Sequence, residues 1–157
     1  MINLDIALEN KIRQLLEVLD KDISLMEKNI QRLIQLKELV IKREEEKLKE
    51  LLNEIKVQSE YISKNEMNRE NLRRSIAGDL NMDSAFLTLS VLIENVPAQF
   101  AEQIRKRQEQ LIKSSYELKK EHVGTALLLN DLSRLNKTIL NSIFSRNKKE
   151  STTYNRT

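Results

Sequence analysis

Few residues of this sequence have side chains suited to catalysis or metal binding. His122 is the only histidine, and Glu117 and Glu121 precede it. A metal site in a helical bundle needs Glu-x-x-His pairs on facing helices, but the residue three positions before His122 is Lys119. We therefore interpret His122 as a surface or boundary residue, and we expect neither a metal nor a cofactor.

The other residue types that support catalysis are absent or dispersed. Gly78 and Gly124, the two glycines, are too far apart to build a phosphate-binding loop. The chain has no cysteine, so disulfides and thiol chemistry are excluded. The carboxylates alternate with lysines and arginines, which is typical of solvated helix faces with ion-paired neighbours. We expect a protein that is not an enzyme.

The most concentrated chemical feature is an apolar one near the end of the chain. Leu127, Leu128 and Leu129 follow one another, and on a helix their side chains point about 100° apart. One neighbouring helix cannot cover all three, so either several helices of this chain converge here or part of the surface meets a partner. The residues predicted to face the bundle are Leu128, Leu132, Leu135 and Ile139. The residues predicted to bind a partner are Leu127, Leu129, Leu140, Ile143 and Phe144.

These leucines belong to a predicted helix over 97–144. Pro97 suits the first helical position, where its missing N–H costs nothing. One register of apolar residues runs along this helix in steps of seven, which predicts a narrow seam for a neighbouring helix. The register consists of Ile104, Leu111, Leu118, Thr125, Leu132 and Ile139.

Two further long helices precede it. A helix over 4–41, with Asp5 as a candidate cap, carries two interleaved heptad series, which are Leu16, Ile23 and Ile30, and Ile12, Leu19, Met26, Leu33 and Val40. A turn near residues 42–45 and a second helix over 45–77 are favoured. The alternative is one continuous helix to about residue 76. Between residues 58 and 71 the apolar stripe is poor, which predicts a weakly packed, solvated arm.

A helix terminator and a short helix connect the second and last long helices. Gly78 suits the left-handed position that ends many helices, and Asp83 or Ser84 can cap a short helix over 84–95. The final segment, 145–157, has one aromatic and no aliphatic residue, so we expect a disordered basic tail.

Composition sets the fold class. Two glycines, one proline and 32% charged residues indicate long helices rather than sheets. We predict an all-α fold, an elongated antiparallel helical bundle or coiled coil of two or three long helices plus one short helix, with residues 1–144 as a single domain. No apolar run approaches the roughly 20 residues of a membrane span, and the start lacks a signal-peptide pattern. We therefore expect a cytoplasmic protein.

The charge balance argues against nucleic acid as a partner. The net charge is +3, and the segment 145–157 alone carries four basic residues against Glu150, also +3. The helical body is therefore neutral and offers no obvious surface for a phosphate backbone.

The chain resembles the flagellar type III export chaperones of the FlgN family, through four features. These are the opening amphipathic helix that ends near Lys42; the segment 48–56 with Arg69, Arg73 and an exit over 72–76; the apolar segment 87–92 before a proline and a long last helix; and the Thr-Thr-Tyr-Asn-Arg tail over 152–156.

The resemblance implies a cytoplasmic protein that is not an enzyme. Members of this family bind hook-associated subunits of the hook–filament junction, keep their terminal helices from assembling early, and deliver them to the export apparatus. An apolar surface near a helix end could hold a client helix in this way. The alternative is a structural coiled coil whose apolar C-terminal helix forms a homodimer or larger homo-oligomer.

Overall fold

A computed structural model describes residues 5–143, without the side chains of 132, 133 and 135–143. The all-α prediction is confirmed: three long helices pack together, with a short helix between the second and the third. The elements are α1 (Ile6–Lys42), α2 (Glu45–Asp79), a 3₁₀ turn (Ser84–Phe86), α3 (Leu89–Glu94) and α4 (Ala98–Ile143). The predicted tail over 145–157 lies outside the described residues.

Helix α1 is the centre of the bundle. It packs against both α2 and α4, whereas α2 and α4 make few contacts with each other along the described chain. Asp20 binds Arg107 and Lys37 pairs with Glu121, so α4 runs parallel to α1. Because α2 returns antiparallel to α1, the three long helices run up, down and up.

The predicted cap at Asp5 is confirmed, and α1 begins two residues and ends one residue later than predicted. The N–H of Leu8 donates to Asp5 Oδ1 at 2.6 Å, which satisfies one of the unpaired donors at the helix start. At the other end Arg43 adopts the left-handed conformation with φ 55°, and its N–H donates to the carbonyls of Leu39 and Val40. The chain therefore turns at Arg43, and the continuous helix to residue 76 is excluded.

The predicted terminator at Gly78 is wrong. Gly78 has no positive φ and lies within α2, which continues to Asp79. The left-handed residue is Asn81, with φ 54°, three positions later. Asparagine tolerates this conformation better than most residues, so the turn does not need the glycine.

The predicted short helix over 84–95 is two elements. Asp83 caps the 3₁₀ turn by accepting from the N–H of Ala85, and the chain is extended at Leu87 and Thr88. The hydroxyl of Thr88 then accepts from the N–H of Val91 and starts α3. Thr88 is a second capping residue within the predicted helix, and it allows the chain to break there.

Helix α4 begins one residue later than predicted. The first residue of α4 is Ala98, and Pro97 precedes it. The carbonyl of Pro97 accepts from the N–H of Ala101 at 2.9 Å, the first hydrogen bond of the helix. Pro97 therefore stands at the boundary, where it has no N–H to leave unpaired.

The bundle has two separate apolar cores. The larger one, the base core, is built by the first half of α1, the end of α2, α3 and the start of α4, and it includes Ile12, Leu19, Ile76, Leu92, Phe100 and Ile104. The smaller one, the turn-end core, lies beside the turn at Arg43, and it includes Leu33, Leu36, Leu39, Val40 and Leu51. The heptad series of α1 face inward as predicted, with Met26 half-buried.

A polar cluster separates the two cores. Asn65 Nδ2 donates to Asp22 Oδ1 and to the carbonyl of Val18, and Arg69 donates to Asp22 Oδ2. Most of the segment 58–71 is exposed or half-buried, as predicted. The prediction is wrong at Asn65, which is fully buried, because its amide reaches a buried carboxylate that the sequence of α2 alone does not reveal.

Candidate functional site

Helix α4 extends past the helices that support it. Lys37 lies level with Glu121, so the last residue of α1, Lys42, lies level with residue 126. Helix α4 ends at Ile143, so it continues for about 17 residues, or roughly 26 Å, beyond the end of α1. We call residues 127–143 the overhang.

Three side chains mark the point where α4 leaves α1. Lys37 Nζ lies 2.5 Å from Glu121 Oε2, and a Cβ at Gly124 would lie 3.3 Å from the same ammonium. Thr125 is buried, and its hydroxyl donates to the carbonyl of Glu121 at 2.8 Å. Glycine inside a helix is costly, and here it leaves room for the lysine that ties the two helices together.

The first residues of the overhang expose the predicted partner leucines. The side chains of Leu127 and Leu129 are 60% and 47% exposed. Leu128, predicted to face inward, is partly buried against the turn-end core. Two other predicted partner residues, Leu140 and Ile143, belong to α4, but their side chains lie outside the described set. Phe144 lies outside the described residues altogether. The same holds for the side chains of Leu132, Leu135 and Ile139.

The seam of α4 is confirmed where its side chains are described. Ile104 and Thr125 are buried, and Leu111 and Leu118 are half-buried. The seam thus faces α1 along the first four of its six positions.

A second apolar series on α4 was missed from the sequence. Ile112, Tyr116, Val123 and Leu127 are all more than half exposed. Their spacing of four, seven and four places them within a sector about 60° wide on one face of the helix. We call this series the exposed stripe. Its periodicity was a detectable signal, but the lysines between its members suggested an entirely polar face.

A groove of about 650 Å³ opens between α2 and α4. It follows from the arrangement of the helices, because α2 and α4 both pack on α1 but hardly touch each other. Leu15, Leu19 and Met26 of α1 form its floor. Ile112 and Tyr116 belong to its α4 wall, so the groove begins where the exposed stripe begins.

The rim of the groove is mainly basic. Arg69 and Arg73 line it from α2, and Lys119 lines it from α4, against a single acid, Glu70. Arg73 donates to both oxygens of Glu70, at 3.0 and 2.5 Å, and to the carbonyl of Ser84. The hydrogen bonds from Arg73 lower the pKa of Glu70 against the opposing effect of desolvation, and the hydrogen bonds to Glu70 raise the pKa of Arg73. Glu70 is therefore anionic at neutral pH.

Within residues 5–143 the structure contains no cluster of three His, Cys, Asp or Glu side chains that could hold a metal ion. His122 is exposed, beyond the groove along α4. In the same part of the chain, no helix is both long enough and apolar enough to span a membrane.

The geometry of these surfaces suits contact with another helix. The exposed leucines of the overhang, the exposed stripe and the groove all present apolar side chains along a helix axis, and they lie beside polar or basic rims. Such surfaces bind amphipathic helices through anchors spaced by three and four residues. Comparisons with protein-family models, curated proteins and solved structures found no match to this chain.

Proposed function

We propose that this protein is a cytoplasmic export chaperone that binds hook-associated subunits of the bacterial flagellum. Its overhang would hold an amphipathic helix of the client and prevent that helix from assembling before type III export. The proposal includes delivery of the client to components of the export apparatus. It requires no catalysis and no cofactor.

The exposure of Leu127 and Leu129 at the start of the overhang carries this proposal. Both side chains lie just beyond the level at which α1 ends. Covering a leucine with a partner contributes up to about 1.5–3 kcal/mol, and each 1.4 kcal/mol corresponds to about tenfold in affinity. A micromolar interaction needs a binding free energy of about 8 kcal/mol. A client helix that covers two leucines would therefore obtain a substantial part of that free energy from them.

The order of elements is compatible with the resemblance to the FlgN family. The segment 48–56 lies in α2, and Arg69 and Arg73 follow on the same helix. The apolar segment 87–92 contains the buried Leu87 and Leu92 and precedes the long α4. The tail over 152–156, the fourth feature, lies outside the described residues.

A pair of matched variants tests the proposal. Leu129→Asp places a charge on the overhang, and Leu52→Asp places the same charge on α2. Leu129 and Leu52 are 47% and 48% exposed, so neither change should unfold the bundle. With purified hook-associated subunits as ligands, we expect Leu129→Asp to weaken binding by at least about tenfold and Leu52→Asp to leave it unchanged. Isothermal titration calorimetry measures both.

Two results would contradict the proposal. The first is the absence of binding to any hook-associated subunit by the unmodified protein. The second is equal affinity for Leu129→Asp and the unmodified protein, which would move the client site away from this leucine. Unfolding of Leu129→Asp would show that the leucine is part of the core.

A homo-oligomeric coiled coil is the second candidate function. The same exposed leucines favour it, because a second copy could cover Leu127 and Leu129. Sedimentation velocity distinguishes the two functions: a structural coiled coil should be an oligomer that Leu129→Asp dissociates, whereas a chaperone without its client should not depend on this residue for its mass.

A further inference from the structure

We infer that the groove between α2 and α4 is a second docking site, for an amphipathic helix of another protein whose apolar stripe is flanked by acidic residues. This inference concerns a different surface from the overhang, and it does not depend on the flagellar client. The floor of the groove, its rim and its length support it.

The groove is apolar where a ligand would be most buried. Its floor is lined by the half-buried Met26 and by the buried Leu15 and Leu19, and Leu111 and Ile112 add accessible apolar surface from α4. Ile112 and Tyr116 are 65% and 72% exposed, so the groove is an open trough and not a closed cavity. An open trough with an exposed aromatic wall suits a side-chain stripe that is laid into it.

The charge of the rim indicates an acidic partner. Arg69 uses one guanidinium nitrogen on Asp22, and its side chain is still 41% exposed. Lys119 is exposed and forms no ion pair within residues 5–143. Arg73 is already matched by Glu70. Arg69 and Lys119, on opposite walls, are therefore positioned to contact carboxylates on both flanks of a bound helix.

The length of the groove limits the size of the ligand. The floor runs from Leu15 to Met26 along α1, which is about 16 Å. The α4 wall runs from Leu111 to Lys119, which is about 12 Å. Two to three turns of a helix, roughly 8–11 residues, match these lengths. This is enough for three anchors spaced by three and four residues.

The tail of this chain is a poor candidate for the same site. Residues 145–157 carry a net charge of +3 and no aliphatic residue. Arg69 and Lys119 would repel this charge, and the floor would gain no apolar contact. The tail is therefore not the ligand that we propose for this groove.

Two synthetic peptides test the inference. Both have about 18 residues, enough for five helical turns, with one stripe of leucines spaced by three and four. One peptide has glutamates beside the stripe, and the other has lysines. We expect the glutamate peptide to bind saturably to the full-length protein in fluorescence anisotropy and the lysine peptide to bind at least about tenfold more weakly.

Matched variants locate the binding site. Ile112 and Met67 are 65% and 66% exposed, and Met67 lies outside the groove. We expect Ile112→Glu to weaken binding of the glutamate peptide by at least about tenfold. We expect Met67→Glu to change the affinity for this peptide by less than about twofold. Lys119→Glu should reduce the preference for glutamate over lysine peptides.

Several outcomes would overturn the inference. The first is that the glutamate peptide does not bind saturably, and the second is that both peptides bind equally. The third is that Ile112→Glu and Met67→Glu lose the same affinity for the glutamate peptide. If Leu129→Asp abolishes peptide binding while Ile112→Glu preserves it, the peptide binds at the overhang and the groove is not its site. If Leu129→Asp loses binding to hook-associated subunits but retains peptide binding, the result would support two separate binding surfaces, the overhang and the groove.

Discussion

The two ends of the bundle differ in how many elements contribute to the core. At the base, all four α-helices and the connecting segments contribute buried residues, and Ile12, Phe100 and Ile104 are almost completely buried. At the turn end only the three long helices remain, and α4 then continues beyond the other two. Apolar residues of similar spacing therefore form a core at one end and an exposed surface at the other.

This difference separates the region that holds most of the buried core from the region that we propose binds a partner. A region with many buried contacts opens only at a large free-energy cost, whereas a region with few can present its side chains to a partner. Concentrating burial at the base allows the overhang to expose leucines without losing the fold. Substitutions at the two ends test this separation.

Truncating a leucine should destabilise the fold far more at the base than at the overhang. Leu19 is 1% exposed in the base core, so Leu19→Ala should lower the free energy of unfolding by about 2–5 kcal/mol. Leu129→Ala should lower it by less than about 0.5 kcal/mol. Urea denaturation followed by far-UV circular dichroism measures both. Equal losses would show that the overhang leucine is core and that the two ends do not differ.

The polar cluster between the two cores should contribute less. Arg69→Met leaves the buried Asp22 with Asn65 as its remaining side-chain partner, and we expect a loss of about 1–3 kcal/mol. Arg74→Met is the control, because Arg74 pairs with Glu70 at the surface, where such a pair contributes about 0–1 kcal/mol. Urea midpoints compare the two variants. If Arg69→Met costs no more than Arg74→Met, the cluster does not stabilise the junction between the cores.

The smallest effect concerns pH. Hydrogen bonds from Arg73 lower the pKa of Glu70 below its ordinary value of 4.5. A carboxylate with a lowered folded-state pKa stabilises the fold above the unfolded pKa, and this contribution is lost as pH falls through the folded pKa. Glu70→Gln should therefore lower the urea midpoint slightly at neutral pH, and the difference should vanish in acid.

Glu60→Gln is the matched control for this pH effect, since Glu60 is an exposed glutamate on the same helix. It should shift the midpoint less at neutral pH. A Glu70→Gln difference that persists well below pH 4.5 would mean that charge is not the cause.

Much of this fold could be predicted from periodicity. The heptad series of α1 and the first four seam positions of α4 face inward, because a helix places every third and fourth residue on one side. Asp5 was identifiable as a cap from its residue type and its position before an apolar series. These features depend on one segment at a time.

The features that were missed depend on two segments together. The poor stripe around Asn65 predicts an exposed side chain, and only its position opposite Asp22 explains its burial. The groove requires α2 and α4 to diverge on α1, which the period of a single helix does not determine. The residue type of Gly78 predicts a terminator, but the backbone has its left-handed turn at Asn81.

The exposed leucines were found for a different reason. Three consecutive leucines cannot all face one neighbour, so their sequence alone indicated an excess of apolar surface. Which of them packs inward depends on where α1 ends, and only the structure supplies that. Leu128 reaches the turn-end core, and Leu127 and Leu129 flank it.

The polar cluster also limits how α1 and α2 can misalign during folding. Heptad helices can slide past each other by seven residues and keep most apolar contacts. Sliding α2 by one heptad in either direction would replace Arg69 with Ile62 or Ile76 opposite Asp22. Leaving the buried carboxylate without its cation costs about 1–3 kcal/mol, as in Arg69→Met. Misregistered pairings are therefore shallow traps, and one alignment of a repetitive sequence has the lowest free energy.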